Sequence, residues 1–209
     1  MKNKLQNEIY DTIKKRHSTR QFSKQAPDLE MINMIAETGI LAPYAGANGI
    51  PREEIRKIYI FPPNTENRKK LEEIIQKQLL KNAKKLSVLS IFLPKLKSFS
   101  QRIYGFSKNG IPGLSKGTYL ILVAEKKGFP PVAKQAAAHA LQSMWIYAVS
   151  LGLGFQMLSA LSTLSSNKDV FNLLGLEHGK YELDGCLVGI PDTLHMNKEF
   201  DTSKSIKSL

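Results

Sequence analysis

The stretch Thr118-Tyr119-Leu120-Ile121-Leu122-Val123-Ala124, with the segment Val132 to Leu151 that follows it, decides the fold. The first is an unbroken aliphatic and β-branched run of strand length, which predicts a buried strand. The second carries Ala136, Ala140, Trp145 and Tyr147 through a long apolar helix, and Gly152 and Gly154 predict its stop. The core is expected to centre on this pair.

Working outward, Leu5, Ile9 and Ile13 recur four apart within Leu5 to Lys15, the spacing of one helix face, and this helix should end near His17-Ser18. Pro27-Asp28 reads as a second helix start, with Leu29, Ile32, Ala36 and Ile40 as its apolar stripe until Gly39 to Pro43 breaks it. Tyr44 to Pro51 is a loop of small residues and turn formers, and Lys57 to Phe61 is a strand closed by Pro62-Pro63. Leu71, Ile74, Ile75 and Leu79 predict a helix from Thr65 to about Lys85. From Leu86 to Gly117 the pattern is irregular and reads either as a mobile flap or as short helices. A short helix around Asn167 to Leu174 and a last strand from Leu183 to Ile190 complete a mixed α+β chain.

A length of 209 residues suits one domain, 1–209, with a sizeable core, and 42% hydrophobic against 23% charged residues excludes a collagenous or largely disordered protein. The single cysteine, Cys186, excludes an internal disulfide framework, and His17, His139, His178 and His195 lack zinc-like spacing, so no metal is expected. Cys186, in the last strand, reads as an inert core thiol, and His139 as a partly buried polar residue of the Ala-rich helix. The N-terminus has no signal-like apolar stretch, and no segment approaches the roughly 18 apolar residues of a membrane span. A cytoplasmic protein with no membrane partner is the expectation.

Charge is the unusual quantity: 30 basic against 18 acidic residues give +12, and twelve of the basic residues but only two acids lie between Arg68 and Lys116. Such an excess concerns partners more than fold. It admits a nucleic-acid or anionic-membrane binding function, although no nucleic-acid motif is present and none is the expected partner. A second basic cluster, Lys14-Lys15-Arg16-His17-Ser18-Thr19-Arg20, has two forked guanidinium groups four residues apart, suited to phosphate oxygens. The same cluster also suits a solvated helix end that complements the helix dipole.

Five segments together resemble the FMN-dependent nitroreductase family. Arg16-His17-Ser18-Thr19-Arg20-Gln21-Phe22 is similar to its Arg-x-Ser-x-Arg/Lys-x-Phe signature, and Leu41-Ala42-Pro43-Tyr44-Ala45-Gly46-Ala47-Asn48 to its Ala-Pro-Ser-x-x-Asn loop. Gln142 to Gly154 resembles the interface helix that ends Ser-Leu-Gly-Leu-Gly. Val170 to Leu176 and Leu187-Val188-Gly189-Ile190-Pro191 resemble its Leu-Leu-Gly-Leu and Val-Gly-Tyr-Pro elements. The resemblance spans nearly the whole chain. It implies a mostly antiparallel sheet flanked by helices, with the long helix at a homodimer interface.

The resemblance further implies bound FMN, NADH or NADPH as hydride donor to flavin N5, and a small acceptor such as a nitroaromatic or quinone in a ping-pong cycle. Variants on this theme, with another electron donor or as a specialised flavin dehydrogenase, share the same fold. Arg16, His17, Ser18 and Arg20 would contact the FMN phosphate, ribityl chain or ring. Pro43, Tyr44, Ala45 and Asn48 would approach the flavin of the other subunit, with the Tyr44 phenol either near the ring or packed on the partner. Gln142 belongs to the same set, and Met157, Leu158, Ser159 and Ala160 would aim backbone N–H groups at flavin N5 and O4, where they stabilise charge. Lys198, with Lys204 in reserve, is the nearest match to the C-terminal basic pair. The usual Gln-Pro-Trp is replaced by Asn48-Gly49-Ile50-Pro51 and charged Arg52 to Arg56, and the usual acid of the long helix by Ala133-Lys134-Gln135. The basic segment 81–117 lies where the family varies its lid.

Overall fold

A computed structural model of the chain describes residues 4–44, 50–114, 116–193 and 207. Its sheet has four strands, β1 (Arg56–Phe61), β2 (Tyr119–Lys126), β3 (Gly154–Met157) and β4 (Tyr181–Gly189), in the order β1-β2-β4-β3. All three pairings are antiparallel, and Ile121 lies opposite Cys186. The expected strand 118–124 is thus a central strand.

Its apolar run has a simple cause, because helices cover both faces of the sheet. Leu120, Leu122 and Ala124 join Leu183 and Leu187 in one core with α4 (Glu66–Phe92) and α8 (Lys168–Leu174). Ile121 and Val123 join Cys186 and Val188 in a second core with α2 (Leu29–Leu41) and α6 (Ala133–Ser150). Each fully buried aliphatic side chain contributes about 1.5–3 kcal/mol, so alternate residues of one strand hold two helical layers at once. Cys186 is buried in this core, and burial pushes its thiol well above the ordinary range. Its place in the core agrees with the reading of Cys186 as a core thiol.

Two helices differ from the sequence expectation. The buried side of α2 is Ile32, Ile35, Ala36 and Gly39, whereas Leu29 is 50% exposed, so the stripe is rotated by about one residue from the expected one. The helix expected to end near Lys85 runs to Phe92, and after a 3-10 turn the irregular region becomes α5 (Lys97–Asn109). Buried Ser100 donates from Oγ to the Ala83 carbonyl at 3.1 Å and locks α5 onto α4. Short helices α3 (Arg52–Ile55) and α7 (Ser159–Ser162) complete the set, and α8 is N-capped by Asn167, whose side chain accepts from the Asp169 N–H.

α1 (Lys4–Lys15) packs against α6, yet its predicted stripe faces outward: Leu5, Ile9 and Ile13 are 62%, 53% and 44% exposed. His139 is also exposed, together with Lys134, Gln135, Ala138 and Gln142 on the outer face of α6. The expected partial burial of His139 is therefore not seen in the single chain, where it is exposed on that face.

Candidate active site

The basic cluster after α1 is folded back onto the protein. The Arg16 guanidinium lies 4.3 Å from the Trp145 ring centroid, and Trp145 stacks on Phe155 at 5.2 Å and 13°. A cation over an indole contributes about 0.5–2 kcal/mol and fixes where the chain leaves α1. Ser18 then bridges Phe155 in parallel fashion, and the Thr19 N–H donates to the Phe155 carbonyl at 2.9 Å. Gly154 makes room for this: a Cβ there would stand 2.7 Å from Thr19 Cγ2. The arm continues along the sheet, with Ser23 N–H donating to Ile190 O at 2.9 Å and Asp192 N–H to Gln21 O at 3.1 Å.

Arg20 emerges from this arm beside the end of β3. There Gln156, Met157, Leu158, Ser159 and Ala160 form one side of a cleft of about 630 Å³, a volume typical of small-molecule sites. The Leu158 N–H is already engaged, donating to the Gly185 carbonyl at 2.9 Å. Ser159 and Ala160 open α7, where N–H groups lack acceptors within the helix. Gln156 Oε1 is buried and has no hydrogen-bond partner among the described residues. A buried acceptor without a donor is costly, which marks the place a ligand N–H fits.

The opposite side of the cleft is the α4–α5 pair. Leu79, Asn82, Lys85 and Leu86 contribute from α4, and Phe99, Arg102, Ile103 and Phe106 from α5. Asn82 is steadied by a relay in which Asn167 donates to Gln78 at 3.3 Å and Gln78 to Asn82 at 3.0 Å. Ile111 and Pro112 close one end, in a loop held from inside by Arg68. That arginine is 1% exposed and donates to the carbonyls of Phe61, Leu114 and Thr118, with Glu72 on its Nε. Burial lowers its pKa, against the pull of Glu72. Arg68 therefore does not belong to the surface charge that the sequence suggested.

A second buried arginine shapes the chain after α2. Arg56, 2% exposed, forks onto Glu125 at 2.6 and 3.3 Å and donates to the carbonyls of Gly39, Ala42, Pro43 and Ala136 at 2.7–3.1 Å. It supplies the cation that the C-terminus of α2 lacks in its own last turn. Burial raises the Glu125 carboxyl, and Arg56 opposes that rise.

Of the residues expected at the site, Arg20, Met157, Leu158, Ser159 and Ala160 meet in the cleft. Arg16 stands on Trp145 instead, Ser18 is engaged with β3, and His17 donates from Nδ1 to the Lys15 carbonyl at 3.0 Å. Pro43 and Gln142 are exposed and Tyr44 half-buried, outside the cleft of the single chain. Ala45, Asn48, Lys198 and Lys204 lie outside the described residues. Gln156 and the buried role of Arg56 were not foreseen, and of the α4–α5 lining only the segment 81–117 was expected near the entrance, not its individual residues. Gln156 stands one residue before the expected Met157–Ala160 stretch, and the 3, 4 spacing of Phe99, Arg102, Ile103 and Phe106 was the available signal for the lining.

Among the described residues no helix is long and apolar enough to cross a membrane, and no group of three or more His, Cys, Asp or Glu could hold a metal. The model of the nitroreductase family matches residues 13–192. The chain belongs to the nitroreductase family. The fold agrees with solved nitroreductase-like structures. A nitroreductase with bound FMN from Bacteroides fragilis is similar at TM-score 0.70 and 20% identity, over 97% of this chain and 99% of that one. A BluB-like flavoprotein from Clostridium difficile matches at TM-score 0.70 and 20% identity, over 96% and 98%. An iodotyrosine deiodinase bound to FMN and 3-iodo-L-tyrosine matches at TM-score 0.63 and 17% identity, over 92% and 95%. Among curated proteins none matches the chain in sequence. The nitroreductase-family fold is therefore established, and it hosts more than one chemistry.

Proposed function

We propose that the chain is a homodimeric FMN-dependent oxidoreductase that takes hydride from NADH or NADPH and passes electrons to a small acceptor such as a nitroaromatic or a quinone. The observation that carries this is the cleft in which Arg20, the start of α7 and the orphaned Gln156 carbonyl oxygen converge. These groups suit FMN. Gln156 needs an N–H donor, and the isoalloxazine ring carries one; Arg20 offers forked donors to phosphate or to ring oxygens. Bound FMN would supply the redox chemistry itself, accepting hydride and releasing the electron pair.

The protein's own part is position, polarity and access. Ser159 and Ala160 would aim N–H groups at developing negative charge, while Leu158 anchors their turn to β4. The Arg16–Trp145–Phe155 stack would set the arm so that Arg20 enters the cleft in one orientation. Apolar Leu79, Ile103 and Phe106 would keep water from the ring.

Two exposed surfaces support the dimer. The apolar stripe of α1 is open to solvent in the single chain, and so is the outer face of α6, the helix against which α1 packs. Pro43 and Tyr44 would then serve the neighbouring subunit's site. We read 1–209 as one domain, with the basic segment 81–117 as its lid.

The deciding experiment is an absorption spectrum of the purified protein between about 300 and 550 nm, before and after anaerobic NADH and then NADPH. A flavin spectrum that bleaches is the expected result and names the donor. A flavin that neither nucleotide bleaches would favour the same fold with another electron donor. A colourless protein that FMN cannot restore would overturn the proposal.

A further inference from the structure

The ionisable side chains lining the cleft are Arg20, Lys85 and Arg102, all cations, and no carboxylate lines it among the described residues. Neither Lys85 nor Arg102 makes an ion pair among those residues. Around them the wall is aromatic and aliphatic. On α5, Phe99, Arg102, Ile103 and Phe106 follow the spacing of a single helix face, so the apolar side of that helix lines a cleft with a cation set among the rings. Phe99 is 42% exposed, and the Arg102 guanidinium lies 5.5 Å from its centroid. Such a wall matches a flat apolar body by contact and one negative charge by two forked or mobile cations.

From this lining, and resting on the oxidoreductase reading above, we propose that the electron acceptor is an aromatic anion, a nitroaromatic or quinone that also bears a carboxylate or sulfonate, with the nitro or quinone group taking the two electrons and their protons and the anionic group left unchanged. The ring packs against Phe106 and Ile103, and the anion meets Lys85 and Arg102 at the α4–α5 side. Arg20, on the opposite side, is left to the cofactor. A neutral aromatic of the same shape keeps the ring contacts but leaves both cations with water alone.

The test compares 4-nitrobenzoate with 4-nitrobenzamide, two rings that differ in charge. Their binding to the purified protein is measured by calorimetry in about 50 mM salt, where exposed charge pairs are not fully screened. Steady-state kcat/KM for the acceptor is measured in parallel, with the donor saturating for each protein separately. The wild type is expected to favour the benzoate about tenfold in both, as two partly exposed charge contacts would give. In the Lys85→Gln/Arg102→Gln double variant the preference should vanish while the benzamide constants move less than about twofold. Flavin-loaded protein that binds both rings equally, or a double variant that keeps the preference, overturns this inference and leaves the oxidoreductase standing. Protein without flavin that FMN cannot restore overturns the oxidoreductase and, with it, the role of the anion as acceptor.

Discussion

Arg56, the first residue of β1, donates from Nη2 to the Pro43 carbonyl at 2.9 Å and so fixes the chain that leaves α2. The same guanidinium closes the end of that helix and neutralises Glu125. A group of this kind holds a loop by satisfying carbonyls that would otherwise be buried without donors.

Replacing Arg56 with Met should therefore lower the unfolding free energy by about 3–5 kcal/mol, because Glu125 and four carbonyls lose their partner together. Lys in its place restores charge but not the fork, and should recover only part of the loss. Urea denaturation of the three proteins checks both statements.

Gly154→Ala should displace the arm, since the added Cβ meets Thr19 side-chain atoms at 2.7–2.9 Å. The expected cost is about 1–3 kcal/mol, with weaker FMN retention. Thr19→Gly removes the obstructing atoms, so the double variant should be more stable than the sum of the single effects allows.

Charges placed on the open stripe of α1, as Ile9→Glu with Ile13→Glu, should convert a dimer to monomers at micromolar concentration. Sedimentation equilibrium reads this directly. A wild type that is already monomeric would remove the stripe's proposed role.

Neutralising the exposed Lys84, Lys85, Lys95 and Lys97 should raise KM for NADH or NADPH several-fold, more at low than at high salt, if, as proposed, these cations steer phosphates toward the cleft. An unchanged KM at low salt would exclude steering by this segment.

Asp184 gives a pH dependence with a definite sign. Burial raises its carboxyl above 3.8, and the Gly185 N–H, 2.8 Å away, opposes the rise only in part. The folded state then holds the proton more tightly than the unfolded one, so stability from this group is present at low pH and is lost as pH rises through the raised value. Asp184→Asn should flatten that slope and make the protein more stable at neutral pH, as read from denaturation midpoints between about pH 3 and 7.

The periodic parts of the fold were legible in the sequence. β2 declares itself because it is buried along nearly its whole length, α6 because one apolar face is buried from Ala133 to Ala148, and the Arg16 to Phe22 arm because its residue types are unusual together. β3 was not, since four residues with a glycine and a glutamine become a strand only by pairing with β4 and with Ser18. The last two turns of α4 were missed because Val88, Ile91 and Phe92, at 61%, 74% and 81% exposure, pack on no common face. Arg56 and Arg68 could not be placed from sequence, for their partners are carbonyls up to 80 residues away.

The bridge between Phe22 and Pro191 has a consequence for synthesis. The arm is synthesised well before β3, Ile190 and Asp192, which hold it. Non-local pairing of this sort is slow to form and leaves partners exposed in the meantime. Until β3 and Pro191 have emerged, Arg16 and Arg20 have no sheet to dock on, so the cleft takes shape only after both are made.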